Sequence, residues 1–121
     1  MNKEYKKFLM SKIKLSEEFG FDIDESQINP ILFQHQKDIV KWAIAGGRRA
    51  VFASFGLGKT MMQLEVARIV SERIDKPFIL GLPLAVRQEF YKDAKKLNIK
   101  VRYCKDQQEA EQAYLDRDWE T

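Results

Sequence analysis

Four residues near the middle of the chain, Gly56, Gly58, Lys59 and Thr60, have the types and spacing that hold a phosphate group. The glycines let the backbone curl so that successive N–H groups converge on one point, and the following helix adds its positive end. Lys59 is spaced to reach phosphate oxygens as a point charge, and the Thr60 hydroxyl is spaced to take one position around Mg²⁺. The pattern departs from its strict form at Ala53, where glycine is usual. The predicted phosphate or Mg²⁺ contacts are Ser54, Phe55, Gly56, Leu57, Gly58, Lys59 and Thr60.

Short apolar segments alternate with helical patterns on both sides of this loop. The predicted strands are residues 49–54, 78–82 and 99–104, and the predicted helices are residues 59–71, 84–97 and 107–115. Such alternation predicts a parallel sheet with right-handed crossovers, which binds ligands at the carboxyl ends of its strands. We therefore predict an α/β fold: a partial P-loop domain with a three-stranded parallel sheet flanked by helices. A glycine-rich turn that happens to precede Lys59 and Thr60 is the competing interpretation of the loop.

The first 28 residues differ from the remainder in being charged and rich in Lys and Glu. Tyr5, Phe8, Leu9 and Ile13 recur at helical spacing, which predicts an amphipathic helix whose apolar stripe packs on the main domain. Asn29 followed by proline is typical of a helix start, and the glycine pair at 46 and 47 is typical of its end. We therefore divide the chain into an N-terminal helical extension, 1–28, and an incomplete ATP-binding domain, 29–121.

Composition narrows the class of protein. The 21 basic and 18 acidic residues leave a net charge of +3, which permits a polyanionic partner without requiring one. The single cysteine, Cys104, excludes an internal disulfide, and no Cys/His spacing fits a structural metal, so a reducing cytoplasm is predicted. The longest nearly apolar run, residues 77–86, is about half a membrane span, so no membrane insertion is predicted.

The form A-x-x-G-x-G-K-T, preceded by a helical pattern reading LFQHQKDIVKW at residues 32–42, resembles superfamily 2 helicases, especially Swi/Snf-type ATPases and their phage-encoded relatives. The resemblance implies the first part of a RecA-like domain that binds ATP and Mg²⁺, with Lys59 and Thr60 as catalytic residues. It also implies that Gln36 reads adenine, since a carboxamide offers a donor and an acceptor side by side. Gln34 is the alternative if the register differs by two, and His35 is taken as structural.

A third matching piece runs from residue 78 to residue 90, where an apolar segment ends in Pro83 and Leu84 before a helical stretch. It resembles motif Ia of the same family, which touches nucleic acid. The resemblance implies contacts from Pro83, Leu84, Arg87 and Gln88 to a strand, most readily DNA. The competing interpretation is that Pro83 only starts a helix and Arg87 is a solvated charge.

The family's acidic motif II has no counterpart, because Asp116, Asp118 and Glu120 do not follow an apolar strand. We therefore expect the chain to be truncated before motif II, with the second RecA-like domain and its arginine finger downstream. The resemblance implies an ATP-binding portion of a DNA-dependent ATPase that couples hydrolysis to translocation on, or remodelling of, nucleic acid. The fragment alone is expected to bind without turnover. The alternatives are a P-loop small-molecule or nucleotide kinase and a non-catalytic nucleotide-binding module.

Overall fold

The computed structural model describes residues 2–14, 19–52 and 58–117, and these residues form helices joined by irregular segments. The α-helices are α1 (Lys3–Lys14), α2 (Gln34–Gly46), α3 (Lys59–Ile74), α4 (Arg87–Lys96) and α5 (Gln107–Leu115). Single 3₁₀ turns occur at Glu25–Gln27 and Leu84–Val86. Helices α2, α3 and α4 pack in chain order, α2 against α3 and α3 against α4.

The predicted α/β fold with a three-stranded parallel sheet is wrong, because the described part of the chain is all-helical and holds no strand. Residues 49–52, 78–82 and 99–104 have irregular backbone instead. Strands of a parallel sheet are buried on both faces, whereas Phe52 is 95% exposed and Ile79 is 83% exposed. A short apolar run does not specify a pairing partner, since strand pairing is non-local. Residues 53 and 54 of the first predicted strand lie outside the described residues.

The predicted helices are present in the structure, but two of them begin later than predicted. Helix α3 begins at Lys59 and α5 spans Gln107–Leu115, as predicted. Asn29 does not cap a helix: its Oδ1 accepts a hydrogen bond from Ile31 N–H at 3.1 Å, which closes a local turn. Helix α2 therefore begins only at Gln34. Helix α4 begins at Arg87, after the 3₁₀ turn, and not at residue 84.

The core lies between α2, α3 and α4 and includes the segment that precedes α2. Its buried apolar side chains are Ile23, Ile28, Leu32, Val40, Ile44, Met62, Leu64, Ile69, Ala94 and Leu97. The first three come from the segment before α2, so these residues are part of the folded unit that carries the site.

Backbone N–H groups of residues 19–21 close the carboxyl end of α2. Phe19 N donates to Gly46 O at 2.9 Å, Gly20 N to Ala45 O at 3.1 Å, and Phe21 N to Ile44 O at 3.3 Å. The last carbonyls of a helix have no partner within the helix, so this segment satisfies three of them. A Cβ atom on Gly20 would lie 1.6 Å from Ile44 O, so only glycine fits this close approach.

Helix α1 forms over Lys3–Lys14, as the amphipathic pattern predicts. The prediction that its apolar stripe packs on the main domain is wrong for Tyr5, Phe8 and Leu9, which are all exposed. The side chain of Ile13 lies outside the described residues. Apolar periodicity identifies the apolar face of a helix but does not determine what covers that face.

Candidate functional site

The phosphate-loop motif enters the described structure at Gly58, the N-cap of α3. Gly58 has φ 74° and ψ 42°, the left-handed conformation that favours glycine, and its carbonyl accepts the Met62 N–H at 3.2 Å. Lys59 and Thr60 form the first turn of α3, where Lys59 is exposed and Thr60 is half-buried. The predicted contacts at Ser54, Phe55, Gly56 and Leu57 lie outside the described residues.

The amino end of α3 is arranged for an anion. Gly58 has no side chain with which to cap the first N–H groups, and the first turn contains no acidic residue. It contains Lys59 instead, a cation at the positive end of the helix macrodipole, where a positive charge reduces helix stability. A bound phosphate would offset both effects, because it would accept hydrogen bonds from the N–H groups and neutralise the lysine.

The Gln36 side chain is buried and lies against the phosphate-loop motif. Its Oε1 accepts a hydrogen bond from Phe33 N–H at 2.8 Å, so Gln36 supplies the side-chain half of a capping box at the start of α2. A Cβ atom on Gly58 would lie 2.1 Å from Gln36 Nε2, which means that the carboxamide nitrogen abuts this glycine. The structure thus brings together two motifs that are 22 residues apart in the sequence.

The residues beside Gln36 have different environments. Gln34 donates to Glu25 Oε1 at 2.6 Å and to Asp38 Oδ1 at 3.0 Å, so its amide nitrogen is held by two carboxylates. The Phe33 ring is 71% exposed and stacks on His35 with centroids 6.0 Å apart. The sequence pattern gives His35 only a structural role and does not single out Phe33, because the helix was predicted to start at Asn29, four residues before it.

A buried ion pair fixes α3 to the segment before α2. The Glu65 carboxylate is fully buried and pairs with Arg68, whose Nη2 also donates to Gln27 O at 2.8 Å. Asn29 N–H donates to Glu65 Oε1 at 3.2 Å. Burial lowers the pKa of Arg68, but hydrogen bonding and charge attraction from Glu65 and Glu72 outweigh burial and raise it. The sequence pattern does not single out Glu65, because this residue lies among apolar residues of α3.

The predicted nucleic-acid residues surround the start of α4. Pro83 precedes the 3₁₀ turn, Leu84 is 66% exposed, and Gln88 is exposed. Arg87 is half-buried, and its guanidinium carbon lies 4.7 Å from the centroid of the Tyr103 ring. The Arg87 side chain therefore packs on an aromatic ring and keeps part of its surface accessible to solvent. The cation–π partner Tyr103 was not singled out from the sequence, where it lies within the predicted strand 99–104.

Thr60 is the one predicted Mg²⁺ ligand. The residue is half-buried in the first turn of α3. Mg²⁺ takes few protein ligands and fills its remaining positions with phosphate and water oxygens, so one hydroxyl is the kind of ligand that such an ion needs. Elsewhere in the described ranges, no group of three or more His, Cys, Asp or Glu side chains could hold a metal ion.

Comparisons of the chain with protein-family models, curated proteins and solved structures gave no match. Across residues 2–14, 19–52 and 58–117, no helix has both the length and the apolar character needed to cross a membrane.

Proposed function

We propose that this chain is the ATP-binding portion of a helicase-type, nucleic-acid-dependent ATPase. The observation that carries the proposal is the contact between the Gln36 carboxamide and Gly58, at the amino end of α3. It joins the residue expected to read adenine to the loop expected to hold phosphate. The proposal rests on this arrangement and on the motif spacing.

In the proposed site, residues 54–60 surround the ATP phosphates, with backbone N–H groups and the Lys59 ammonium as donors. Thr60 supplies one oxygen to Mg²⁺, which when bound would neutralise charge on the β- and γ-phosphate oxygens. The amide nitrogen of Gln36 lies against Gly58, and the exposed Phe33 ring offers a flat surface for the base.

The nucleic-acid partner, for which we propose DNA, is assigned to Pro83, Leu84, Arg87 and Gln88. Hydrolysis and translocation additionally require an acidic motif and a second motor domain, which the described residues do not supply. The chain by itself binds ATP without turnover. A cytoplasmic location is part of the proposal, on the ground of the lone, free cysteine at position 104.

ATP binding is tested with Lys59→Ala and with Lys76→Ala as the matched control. Lys76 is an exposed lysine just beyond the far end of α3, a 16-residue helix about 24 Å long. We expect Lys59→Ala to weaken the binding of a fluorescent ATP analogue at least tenfold and Lys76→Ala to leave it within about twofold. Such charge-assisted contacts to phosphate contribute about 1.5–3 kcal/mol each. Equal ATP affinity in Lys59→Ala and the parent chain would contradict the proposal.

The motor function is tested separately, as ATP hydrolysis with and without nucleic acid in any longer protein that contains this chain, with Lys59→Ala as the blank. A Lys59-dependent hydrolysis rate that DNA raises several-fold supports a nucleic-acid-dependent ATPase. A Lys59-dependent rate that is indifferent to DNA and RNA leaves the phosphate loop intact but rejects the helicase assignment.

A further inference from the structure

Positive charge is concentrated in two stretches of the chain, residues 3–14, with a net charge of +4, and residues 87–105. Residues 87–105 contain seven of the 21 basic residues and two of the 18 acidic ones, a net charge of +5, whereas the remainder of the chain has a net charge of −2. Six of the seven are exposed, namely Lys92, Lys95, Lys96, Lys100, Arg102 and Lys105. We call residues 87–105 the basic segment. Such an asymmetry favours a polyanion at one side of the molecule over diffuse attraction to the whole.

The basic segment folds back on itself at Asn98. Asn98 has φ 56° and donates its N–H to Lys95 O at 3.2 Å, while Ile99 N–H donates to Ala94 O at 2.8 Å. This turn ends α4 and reverses the chain. The ten residues of α4 rise about 15 Å. Five residues beyond Asn98 reach at most roughly 17 Å, so Tyr103 returns to the level of Arg87, where the two side chains meet.

The packing of this turn determines which side chains face outward. Ala94 and Leu97 are buried in the core, and Ile99 and Val101 pack against it, so the apolar side of the basic segment faces the core, where α4 packs on α3. Tyr103 follows these residues but remains 44% exposed, with the Arg87 guanidinium over its ring. The pair therefore lies at the surface, within the basic segment.

Three other arginines in the described residues lie over aromatic rings: Arg48 over Phe19, Arg49 over Trp42 and Arg73 over Phe21. All three pairs lie outside the basic segment. Two of them hold the ends of residues 19–21, which close α2, and in the third Arg49 also donates to Trp42 O at 2.7 Å. The Phe19 and Trp42 rings are also exposed, so the Arg87–Tyr103 pair differs from these three pairs in lying within the basic segment.

We propose that Arg87 and Tyr103 form a stacking platform for one base of a single-stranded nucleic acid, whose phosphates are neutralised by lysines of the basic segment. An exposed tyrosine ring takes a base only if that base is unstacked from its neighbours, which single strands permit and duplexes resist. The platform thus predicts a preference for single strands over duplex. This inference rests on the proposed function, since it specifies the partner of the nucleic-acid site that includes Arg87.

The test measures fluorescence anisotropy of labelled oligo(dT), oligo(U) and a duplex of equal length with the 121-residue protein, at low salt and without nucleotide. We expect single strands to bind more tightly than duplex. Tyr103→Ala should weaken single-strand binding roughly tenfold, the effect of losing one stacked base, while Tyr103→Phe stays within about twofold of the parent chain. Arg87→Lys keeps the charge but not the planar group, so we expect a loss of a few-fold.

Tyr114→Ala is the matched control, because Tyr114 is an equally exposed tyrosine on α5, outside the basic segment. Circular dichroism of each variant checks that its helices are intact. The platform is overturned if Tyr103→Ala leaves the affinity for single strands unchanged, or if duplex binds as tightly as single strands. Neither result bears on the phosphate loop, which the ATP-binding test with Lys59→Ala addresses separately. Absence of binding to all three nucleic acids overturns both the platform and the proposed partner. The oligo(dT) and oligo(U) arms separate DNA from RNA.

Discussion

Gln36 uses the two ends of one buried carboxamide for two different elements. Its oxygen accepts the Phe33 N–H at the start of α2, and its nitrogen lies against Gly58 at the start of α3. A buried amide held from both sides has little freedom to move, since burial removes the space and the hydrogen bond fixes the rotamer. Position 58 therefore has no room for a side chain beside the Gln36 carboxamide.

Gly58→Ala is expected to destabilise the protein by about 2–4 kcal/mol. Alanine at a left-handed position costs about 1–2 kcal/mol, and overpacking a filled site costs about 1–3 kcal/mol. The new methyl group would meet Gln36 Nε2 at 2.1 Å. Urea unfolding followed by circular dichroism measures the free energy of unfolding. The double variant Gly58→Ala with Gln36→Ala should recover the overpacking part but not the backbone part, and full additivity of the two changes would contradict the contact.

At the scale of elements, the carboxyl end of α2 is stabilised by a segment that is distant in sequence more than by the end residues of the helix itself. Phe33 has no side-chain acceptor, so α2 begins without a reciprocal cap, and its carboxyl end is closed by residues 19–21. Helix α5 is the contrasting case, because Asp106 accepts the Glu109 N–H at 2.9 Å as a local N-cap. The position of α2 thus depends on chain that lies far away in sequence.

Gly20→Ala is expected to destabilise the protein by about 2–4 kcal/mol, because the methyl group would collide with Ile44 O and disrupt three hydrogen bonds worth about 0.5–1.5 kcal/mol each. Gly81→Ala is the matched control, since a Cβ atom there meets no heavy atom within 4 Å. We expect the control to be neutral or slightly stabilising, by about 0.4–1 kcal/mol. Thermal denaturation of both variants measures the difference, and equal melting temperatures would argue against the closure of α2 by residues 19–21.

At the scale of the whole molecule, the core is completed by the segment that precedes α2. Ile23, Ile28 and Leu32 bury their side chains beside those of α2 and α3, and Glu65 and Arg68 hold the backbone of residues 27–29. A buried ion pair adds little net stability compared with apolar packing, but removing one partner leaves an uncompensated charge. Removal of Glu65 would leave the Arg68 charge without its buried partner, so the stability of the fold depends on Glu65.

Glu65→Ala is expected to destabilise the protein by about 3–5 kcal/mol, the cost of breaking a buried pair. Glu72→Ala removes the exposed partner of the same arginine, 3.1 Å from Arg68 Nη1, and should cost at most about 1 kcal/mol. Because the pKa of Arg68 is raised, its contribution to stability persists from neutral to moderately alkaline pH and is lost only at strongly alkaline pH. Equal free energies of unfolding for the two variants would contradict this assignment.

The sequence by itself determined the helices with strong local signals. The glycine pair ends α2 at Gly46, Lys59 begins α3, and Asp106 caps α5, because helix ends depend on residues a few positions apart. It also placed a glycine at position 58, where the structure has a positive φ. The predicted strands failed for the opposite reason: a strand is defined by a distant partner, and three short apolar runs carry no information about one.

Only the tertiary structure decided which separate residues meet. The Gln36–Gly58 contact, the closure of α2 by residues 19–21, the Glu65–Arg68 link to residues 27–29 and the Arg87–Tyr103 pair all join distant parts of the chain. These contacts depend on the packing of α2, α3 and α4 and on the turn at Asn98. That arrangement is set by the summed burial of apolar surface and not by local sequence pattern. In the same structure Tyr5, Phe8 and Leu9 of α1 are exposed, although the sequence pattern correctly predicts that α1 is helical.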